Sequence, residues 1–453
     1  MVDGEHYPPV ISDALGALSD QGHEVVRAVM VGGREKLPDT GTLDLAGVDV
    51  AAGDDPAALL FEAIAALGPD AVVDLSDEPV LDYRKRHLLA AVSLGLGVPY
   101  RGADFEFTPP PRPRLAALPT LAVIGTGKRT GKTAVAGFAA RTLKRAGMAP
   151  VVVAMGRGGP SEPEVLRGDE IELEPSYLLE LADAGKHAAS DYIEDALLAR
   201  VPTIGCRRCG GGLAGGVENS NVAQGVETAN ELGGGICLLE GSGSAIPPLH
   251  SDATLLVVPA GIPHEYLTGY FGPYRLLLSG LVVVTMCEEP FTSSSRVSSL
   301  TSSIRDTWAA VNGGWAGRAE IEVVRTVFRP SPTRSVEGAT VCVATTAPTA
   351  AGDSIRRHLE GEHGCEVVGI SHSLSDRGRL RADLDGMMKG AEILLCEIKA
   401  AAIDVATRQA LSSDLDVVYM DNVPVALEDD DVGGAVEHLA QLATDRFGSS
   451  RGT

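Results

Sequence analysis

Short runs of Val, Ile, Leu and Ala recur along the chain, each closed by Gly, Pro or an acidic residue and followed by helical spacing of apolar positions. In the first hundred residues this pattern predicts a strand over His23 to Val31, a helix over Pro56 to Leu67, a strand over Ala71 to Leu75 and a helix over Tyr83 to Leu96. That alternation describes a Rossmann-like α/β unit. The opening Met1-Val2-Asp3-Gly4-Glu5-His6-Tyr7 reads as the exit of a strand, so the leading strand is expected to be shortened or missing. The proline-rich Thr108-Pro109-Pro110-Pro111-Arg112-Pro113 then stiffens the chain and marks a boundary.

A second α/β region follows, with strands expected at Leu121 to Ile124, Val151 to Ala154, Ile236 to Leu239, Thr254 to Val258 and Leu281 to Thr285. Gly-rich connections between them are candidate active-site loops, and the serine-rich Ser293 to Ser303 reads as a mobile loop or a helix start. Pro330 to Arg334 reads as a second linker. Beyond it, Ala339 to Ala344, Val367 to Ile370, Ile393 to Cys396 and Val417 to Met420 supply a third set of strands. The expected architecture is therefore α/β throughout: a Rossmann-like domain over 1–116, a core with a parallel sheet over 117–329, and a carboxyl-terminal α/β domain over 330–453.

Composition narrows the possible partners. With 44% hydrophobic residues but 4% aromatics and 53 Gly in 453 residues, the core must be aliphatic and the turns tight. A formal charge of −23 argues against nucleic acid, which needs a broad cationic face. It does not forbid a compact cationic pocket for a small anion. The seven Cys form no regular framework, no apolar run reaches the roughly 18 residues of a spanning helix, and no secretory leader opens the chain. A soluble, cytoplasmic protein without membrane partners is expected.

The strongest chemical signal follows the strand at Leu121. Gly125-Thr126-Gly127-Lys128-Arg129-Thr130-Gly131-Lys132-Thr133 leads into the helical Ala134 to Arg145. Strand, glycine turn and helix N-terminus in that order present successive backbone N–H groups to a phosphate. Lys132 then reaches the outer phosphates of ATP, and the Thr133 hydroxyl is placed for Mg²⁺. The strict P-loop pattern puts Gly at the position of Thr126, whereas here Gly125 stands one earlier; Gly127 and Gly131 still permit close backbone approach. Such a loop needs a carboxylate at a neighbouring strand end, and Glu240, before Gly241-Ser242-Gly243, fits that role. Asp169, Glu170, Glu172 and Glu174 form a further acidic cluster from which one member could complete the metal shell.

The loop and Leu239-Glu240-Gly241-Ser242-Gly243 resemble the dethiobiotin synthetase group of P-loop proteins. Four further segments tighten the likeness: Asp3 to Val10, Met155-Gly156-Arg157-Gly158-Gly159-Pro160, Cys206-Arg207-Arg208-Cys209-Gly210-Gly211-Gly212, and Glu397-Ile398-Lys399-Ala400-Ala401-Ala402-Ile403-Asp404. Together they resemble the cyclic 2,3-diphosphoglycerate synthetase family over nearly the whole chain. The resemblance implies ATP-dependent closure of an intramolecular phosphoanhydride in a small phosphorylated substrate, 2,3-diphosphoglycerate, by a homodimer.

Holding two phosphates together requires cations. Arg157, Arg207 and Arg208, each beside glycines, are the expected clamp, because a guanidinium offers a permanently charged planar fork. Lys128 and Arg129 are placed to cover the β- and γ-phosphates. Cys206 and Cys209 lack a second metal-ligating pair and read as packing residues rather than zinc ligands. Asp3, Glu5 and His6 are candidates for substrate contact, Lys399 for bringing the third domain over the site, and His250 and His264 read as structural. Rival readings are a 2-phosphoglycerate kinase, a dethiobiotin-like ligase, and a partitioning-type switch ATPase.

Overall fold

The computed structural model describes residues 1–33, 45, 47–186, 188–315 and 320–451. The apolar strands explain the main sheet directly. Leu121 and Val123 point into one hydrophobic layer while Ala122 and Ile124 point into the other. The same alternation separates Val152 and Ala154 from Val151 and Val153, and Val283 from Val282. A strand buried on both faces has no polar side to show, which is why these runs are almost continuously apolar.

The strands of the large sheet are β1 (Thr120–Gly125), β2 (Pro150–Gly156), β3 (Pro202–Cys209), β4 (Ile236–Glu240), β5 (Ala253–Pro259), β6 (Leu281–Thr285), β7 (Glu322–Pro332), β8 (Thr340–Ala344), β9 (Glu366–Ser371), β10 (Ile393–Glu397) and β11 (Asp416–Ala426). Their spatial order is β3-β2-β4-β1-β5-β6-β7-β11-β10-β8-β9, with the short Asn219–Ser220 and Glu164–Arg167 beside β3. All neighbours in that series are parallel except β7 and β11. One layer holds α1 (Lys132–Arg145), α2 (Asp191–Ala199) and the terminal α3 (Val432–Arg451). The other holds Val222–Leu232, Gly272–Leu278 and Ser294–Asn312. Ser293 begins the last of these helices, its hydroxyl accepting the Arg296 N–H, so the serine-rich stretch is a helix start.

β7 departs from the sequence expectation. Pro330 and Pro332 lie in its ladder opposite Asn422 and Met420, where a linker was expected. The first half of β7 pairs with β6 through Arg325, and the second half pairs with β11 from Thr326 onward. The prolines therefore lie beyond the end of the β6 pairing, where a missing N–H costs no ladder bond on that side. One sheet thus passes without a break from the central region into the carboxyl-terminal one.

The amino-terminal sheet is built from very short strands. His23 to Val31 yields a strand at Ala28–Val29, and Ala71 to Leu75 one at Val72–Val73. The helices Pro56–Leu67 and Tyr83–Gly95 follow the predicted spans closely. The leading strand is present but brief. Val2 bonds in parallel between Val29 and Val31, while Met1 bonds between Val73 and Leu75.

Helix α3 ties the end of the chain to the centre, since Val436, Leu439 and Ala443 share one buried layer with Val135, Leu121 and Val257. Leu439→Ala is therefore expected to cost about 2–5 kcal/mol, the usual range for emptying a packed aliphatic site. Chemical denaturation followed by hydrogen exchange checks this. Protection should fall in β1 and β5 as well as in α3, and loss confined to α3 would show that the helix is merely appended.

Candidate active site

β1 delivers Gly125 to the carboxyl edge of the sheet, and the chain turns through Thr126 to Gly131 before α1 begins. Gly131 has φ 84°, and a Cβ there would strike the Phe328 ring, so no side chain fits. A Cβ on Gly125 would stand 3.1 Å from Thr130 Oγ1 and 3.5 Å from Lys132 Cδ, intruding on the cradle. The Thr126 and Thr130 hydroxyls are buried yet find no hydrogen-bond partner within the chain. Burial of an unpaired hydroxyl is costly unless a bound group completes it. A phosphate among these donors and the free N–H groups at the start of α1 does so.

Lys132 and Glu240 meet behind this turn, Nζ to Oε1 at 3.3 Å, with 7% and 1% of their side chains exposed. Adjacent parallel registry produces the meeting, because Glu240 at the end of β4 lies opposite Val123 in β1. Asp195 of α2, also buried, lies against Glu240. Burial, reinforced by the Glu240 charge, pushes the Asp195 carboxyl well above its usual value. Among the described residues neither Asp195 oxygen meets an N–H or hydroxyl donor. The sequence reading missed Asp195. Its signal was an acidic pair, Glu194-Asp195, interrupting the apolar face of a helix that runs Tyr192-Ile193 and Ala196-Leu197.

The loop after Glu240 connects the nucleotide turn to two arginines. The Gly243 carbonyl lies 3.4 Å from the Cβ position of Gly125, and a side chain on Gly243 would collide with the Arg157 guanidinium. Arg208 reaches the same loop, donating from Nη2 to the Ser242 carbonyl at 2.8 Å and from Nη1 to the Gly210 carbonyl at 2.7 Å. Burial, and then the charge of Arg157, pulls the Arg208 pKa down. Two guanidiniums are thus neighbours with no anion between them. Arg207 is exposed and alternates to the opposite face of β3, its amide held by Asn221 Oδ1 at 2.7 Å. Lys128 and Arg129 are exposed on the turn itself. Among the described residues none of these five cations pairs with a carboxylate, although acidic residues outnumber basic ones 61 to 38.

Other candidates lie elsewhere. Asp169 and Glu170 are held by Arg167, each at 2.7 Å, so Asp195 rather than this cluster accompanies Glu240. Cys206 packs its sulfur toward Gly225, burial pushing its thiol up to about 12, while Cys209 is exposed. No group of three metal-ligating side chains occurs among the described residues. Lys399, half-buried, forms an ion pair with Glu194 of α2 at 3.0 Å, one residue from Asp195. His250 lies 3.4 Å from Asp252, and His264 3.3 Å from Ser303. Asp3 and His6 belong to the amino-terminal sheet.

Three family models match the chain, described as the amino-terminal, P-loop and carboxyl-terminal domains of cyclic 2,3-diphosphoglycerate synthetase, over residues 1–108, 120–312 and 332–423. Synthetases of that name are 45% identical in Methanothermobacter thermautotrophicus (99% of this chain, 96% of that protein) and 47% identical in Rubrobacter xylanophilus (98% and 97%). The chain belongs to the cyclic 2,3-diphosphoglycerate synthetase family. A solved structure of LpxK from Aquifex aeolicus in complex with ATP overlaps with a TM-score of 0.41 at 14% identity, covering 74% of this chain and 90% of that one. That overlap is too loose to carry any residue across.

As in any synthetase of this family, the chain is an ATP-using enzyme with a P-loop. Lys132, the lysine of that loop, has its charge engaged by Glu240. Replacing Lys132 with Ala is expected to abolish turnover, by orders of magnitude in rate. It should also destabilise the free protein, because removing one partner of a buried pair commonly costs about 3–5 kcal/mol. Steady-state assays and thermal melts of the same preparation check both effects. An active variant, or a melt at the wild-type temperature, contradicts this account of the pair.

Proposed function

We propose that the enzyme joins the two phosphates of 2,3-diphosphoglycerate into a cyclic anhydride at the expense of ATP, with Arg157 and Arg208 holding the diphosphate beside the nucleotide loop. The pair of unneutralised guanidiniums against the Ser242–Gly243 loop carries this reading. Nucleotide binding alone leaves them without a purpose. A doubly phosphorylated substrate brings about four negative charges near neutral pH, given a second phosphate pKa near 6, and needs cations of its own.

The steps balance without a protein nucleophile. An oxygen of one substrate phosphate attacks the γ-phosphorus of ATP, the bond to the β-phosphate oxygen breaks, and ADP leaves. An oxygen of the second substrate phosphate then attacks the phosphorus of the first. The ring P–O–P bond forms as the phosphate received from ATP departs. Lys132 and the turn amides stabilise charge on the transferred group, while Arg157 and Arg208 hold the attacking phosphate close despite repulsion. Lys128 and Arg129 cover the outer face of the nucleotide phosphates, and Arg207 has no place in this clamp.

The donor set fits Mg²⁺. The Thr133 hydroxyl in the first turn of α1 and the buried Glu240 carboxylate are hard oxygen ligands flanking the phosphate cradle. Magnesium in that place supplies charge neutralisation between the β- and γ-phosphates. Two copies of the chain in a reducing cytoplasm complete the reading. The seven cysteines, all free thiols, support the compartment, and among the described residues no helix is long and apolar enough to cross a membrane.

Phosphorus NMR after incubation with Mg-ATP and 2,3-diphosphoglycerate tests the reaction, with cyclic product and one ADP per ring expected. Arg157→Ala or Arg208→Ala should sharply reduce product while calorimetric ATP affinity stays within a few-fold. Substitution by Lys should rescue in part, since a point charge cannot make the forked contact. Loss of ATP binding with an unchanged response to the diphosphate would move both arginines to the nucleotide. Separately, Glu240→Gln should raise the magnesium concentration needed for half-maximal rate, an amide being a poorer ligand for a hard cation; an unchanged titration excludes Glu240 as the ligand.

A further inference from the structure

The amino-terminal sheet takes no part in the chemistry above, yet a cavity of about 710 Å³ opens in it. Its position follows from strand order. Met1–Val2 bonds to Val29–Val31 on one side and to Val73–Leu75 on the other. With Val50–Ala51 beside Ala28–Val29 and Tyr100–Arg101 beside Val72–Val73, the parallel strands run 3-2-1-4-5 across the sheet in chain order. The order reverses between the first strand and the fourth, and open α/β sheets bind ligands outside the carboxyl ends of the strands at such a reversal. His6, which follows the first strand, lines the cavity. So do Asp74 to Asp77 after the fourth and Arg101 to Phe105 at the fifth.

The side chains there are arranged in advance. Asp3, fully buried, accepts the amides of Glu5, His6 and Asp77, and its Oδ1 lies 2.8 Å from His6 Nδ1. That contact orients the imidazole, which lines the cavity and whose Nε2 has no partner among the described residues. Asp74 is already satisfied by Arg86 Nε at 2.8 Å, the Tyr100 hydroxyl at 2.8 Å and the Ser76 amide. Arg101 has no carboxylate partner among the described residues, and its Nη2 rests 3.1 Å from His23 Nε2. The acids Asp77 and Asp104 also line the cavity but are exposed.

A dinucleotide is the wrong occupant. The helix after the first strand opens with Pro8 and Pro9, which have no N–H to offer a pyrophosphate, and the turn before it is not glycine-rich. Recognition must come from side chains, and those available are a guanidinium with no carboxylate partner among the described residues and the imidazoles of His6 and His23. We propose that this crevice binds a small phosphorylated acid at a site separate from the nucleotide loop, with Arg101 and His6 on the anion. The proposal leans on the proposed function only in choosing 2,3-diphosphoglycerate as the probe.

Calorimetry on the full chain without nucleotide tests it, using 2,3-diphosphoglycerate and, separately, inorganic phosphate. Two classes of diphosphate site are expected. Arg101→Ala with His6→Ala should weaken one class by about tenfold or more, the scale of a lost charge-assisted contact, and Arg157→Ala the other. ATP affinity reports that each variant is folded. Should the double variant fail that control, Arg101→Gln alone decides, by the same loss of one class. Binding that the Arg101 and His6 changes leave untouched, whether in one class of site or two, overturns the proposal, whereas a single class lost with those changes and kept in Arg157→Ala removes the diphosphate from Arg157 and leaves the crevice standing. Wild-type protein that binds at the crevice but forms no cyclic product refutes the proposed reaction and leaves the crevice standing.

Discussion

Lys132 at the start of α1 and Glu240 at the end of β4 meet out of water, with Asp195 behind them, and much of the molecule is arranged around that contact. An ion pair so placed is weak evidence for stability by itself, because desolvation offsets most of the attraction. What it demands is geometry. β1 and β4 must be adjacent and in register, α1 must begin at Lys132, and α2 must lie close enough to set Asp195 against Glu240. The carboxyl-terminal region braces the same helices. Lys399 holds Glu194 on α2, and Arg141 on α1 meets Asp421 at 2.5 Å. Burial pushes the Glu194 carboxyl up to about 8 against the pull of Lys399, while the Lys399 ammonium is held charged by Glu194 and Glu397. The continuous strand β7 makes this bracing possible, since it leaves β10 and β11 no freedom to swing away from the core.

Charge is distributed to suit this arrangement. A chain with a net charge of −23 should pair every basic side chain it has, and at many surface positions it does, as with Arg167, Arg334 and Arg408. Lys128, Arg129, Arg157 and Arg208, at the nucleotide turn and the Gly243 loop, have no carboxylate partner among the described residues, and neither has Arg101 in the amino-terminal sheet. Cations left unpaired beside a cleft, within a negative shell, focus field lines into that cleft and favour small, highly charged anions over broad polyanions.

The sequence was most legible where local rules agree with the tertiary environment. Strands buried on both faces announce themselves as continuous apolar runs, and the nucleotide turn is legible because strand, glycines and helix start must follow one another along the chain. Other features depend on contacts that no local window contains. Pro330 and Pro332 carry the letters of a linker, yet they occupy a ladder because the β6 pairing has already ended. Asp195 sits in an ordinary amphipathic helix and gains its meaning from Glu240, which lies in a different strand. Arg207 and Arg208 are adjacent in sequence and looked equivalent, but strand alternation sends one toward Arg157 and the other away. The short amino-terminal strands were overestimated in length, since apolar residues flanking a two-residue ladder are indistinguishable in sequence from the ladder itself.

The resting contact between Lys132 and Glu240 also constrains how a nucleotide can enter. If Lys132 moves to the phosphates, Glu240 is left buried with no cation, and an isolated buried carboxylate is among the least tolerable states a protein interior can hold. On the proposed reading the nucleotide arrives with a divalent cation, so one positive partner leaves Glu240 as another comes. Free nucleotide would have to pay for the exposed charge alone. A cation held by Glu240 and the Thr133 hydroxyl would on that reading replace the charge that Lys132 withdraws. The Thr126 and Thr130 hydroxyls, unpaired before binding, lie at the same turn and gain their partners in the same event. On the proposed reading, then, the contact between Lys132 and Glu240 in the free protein is one that nucleotide binding has to break.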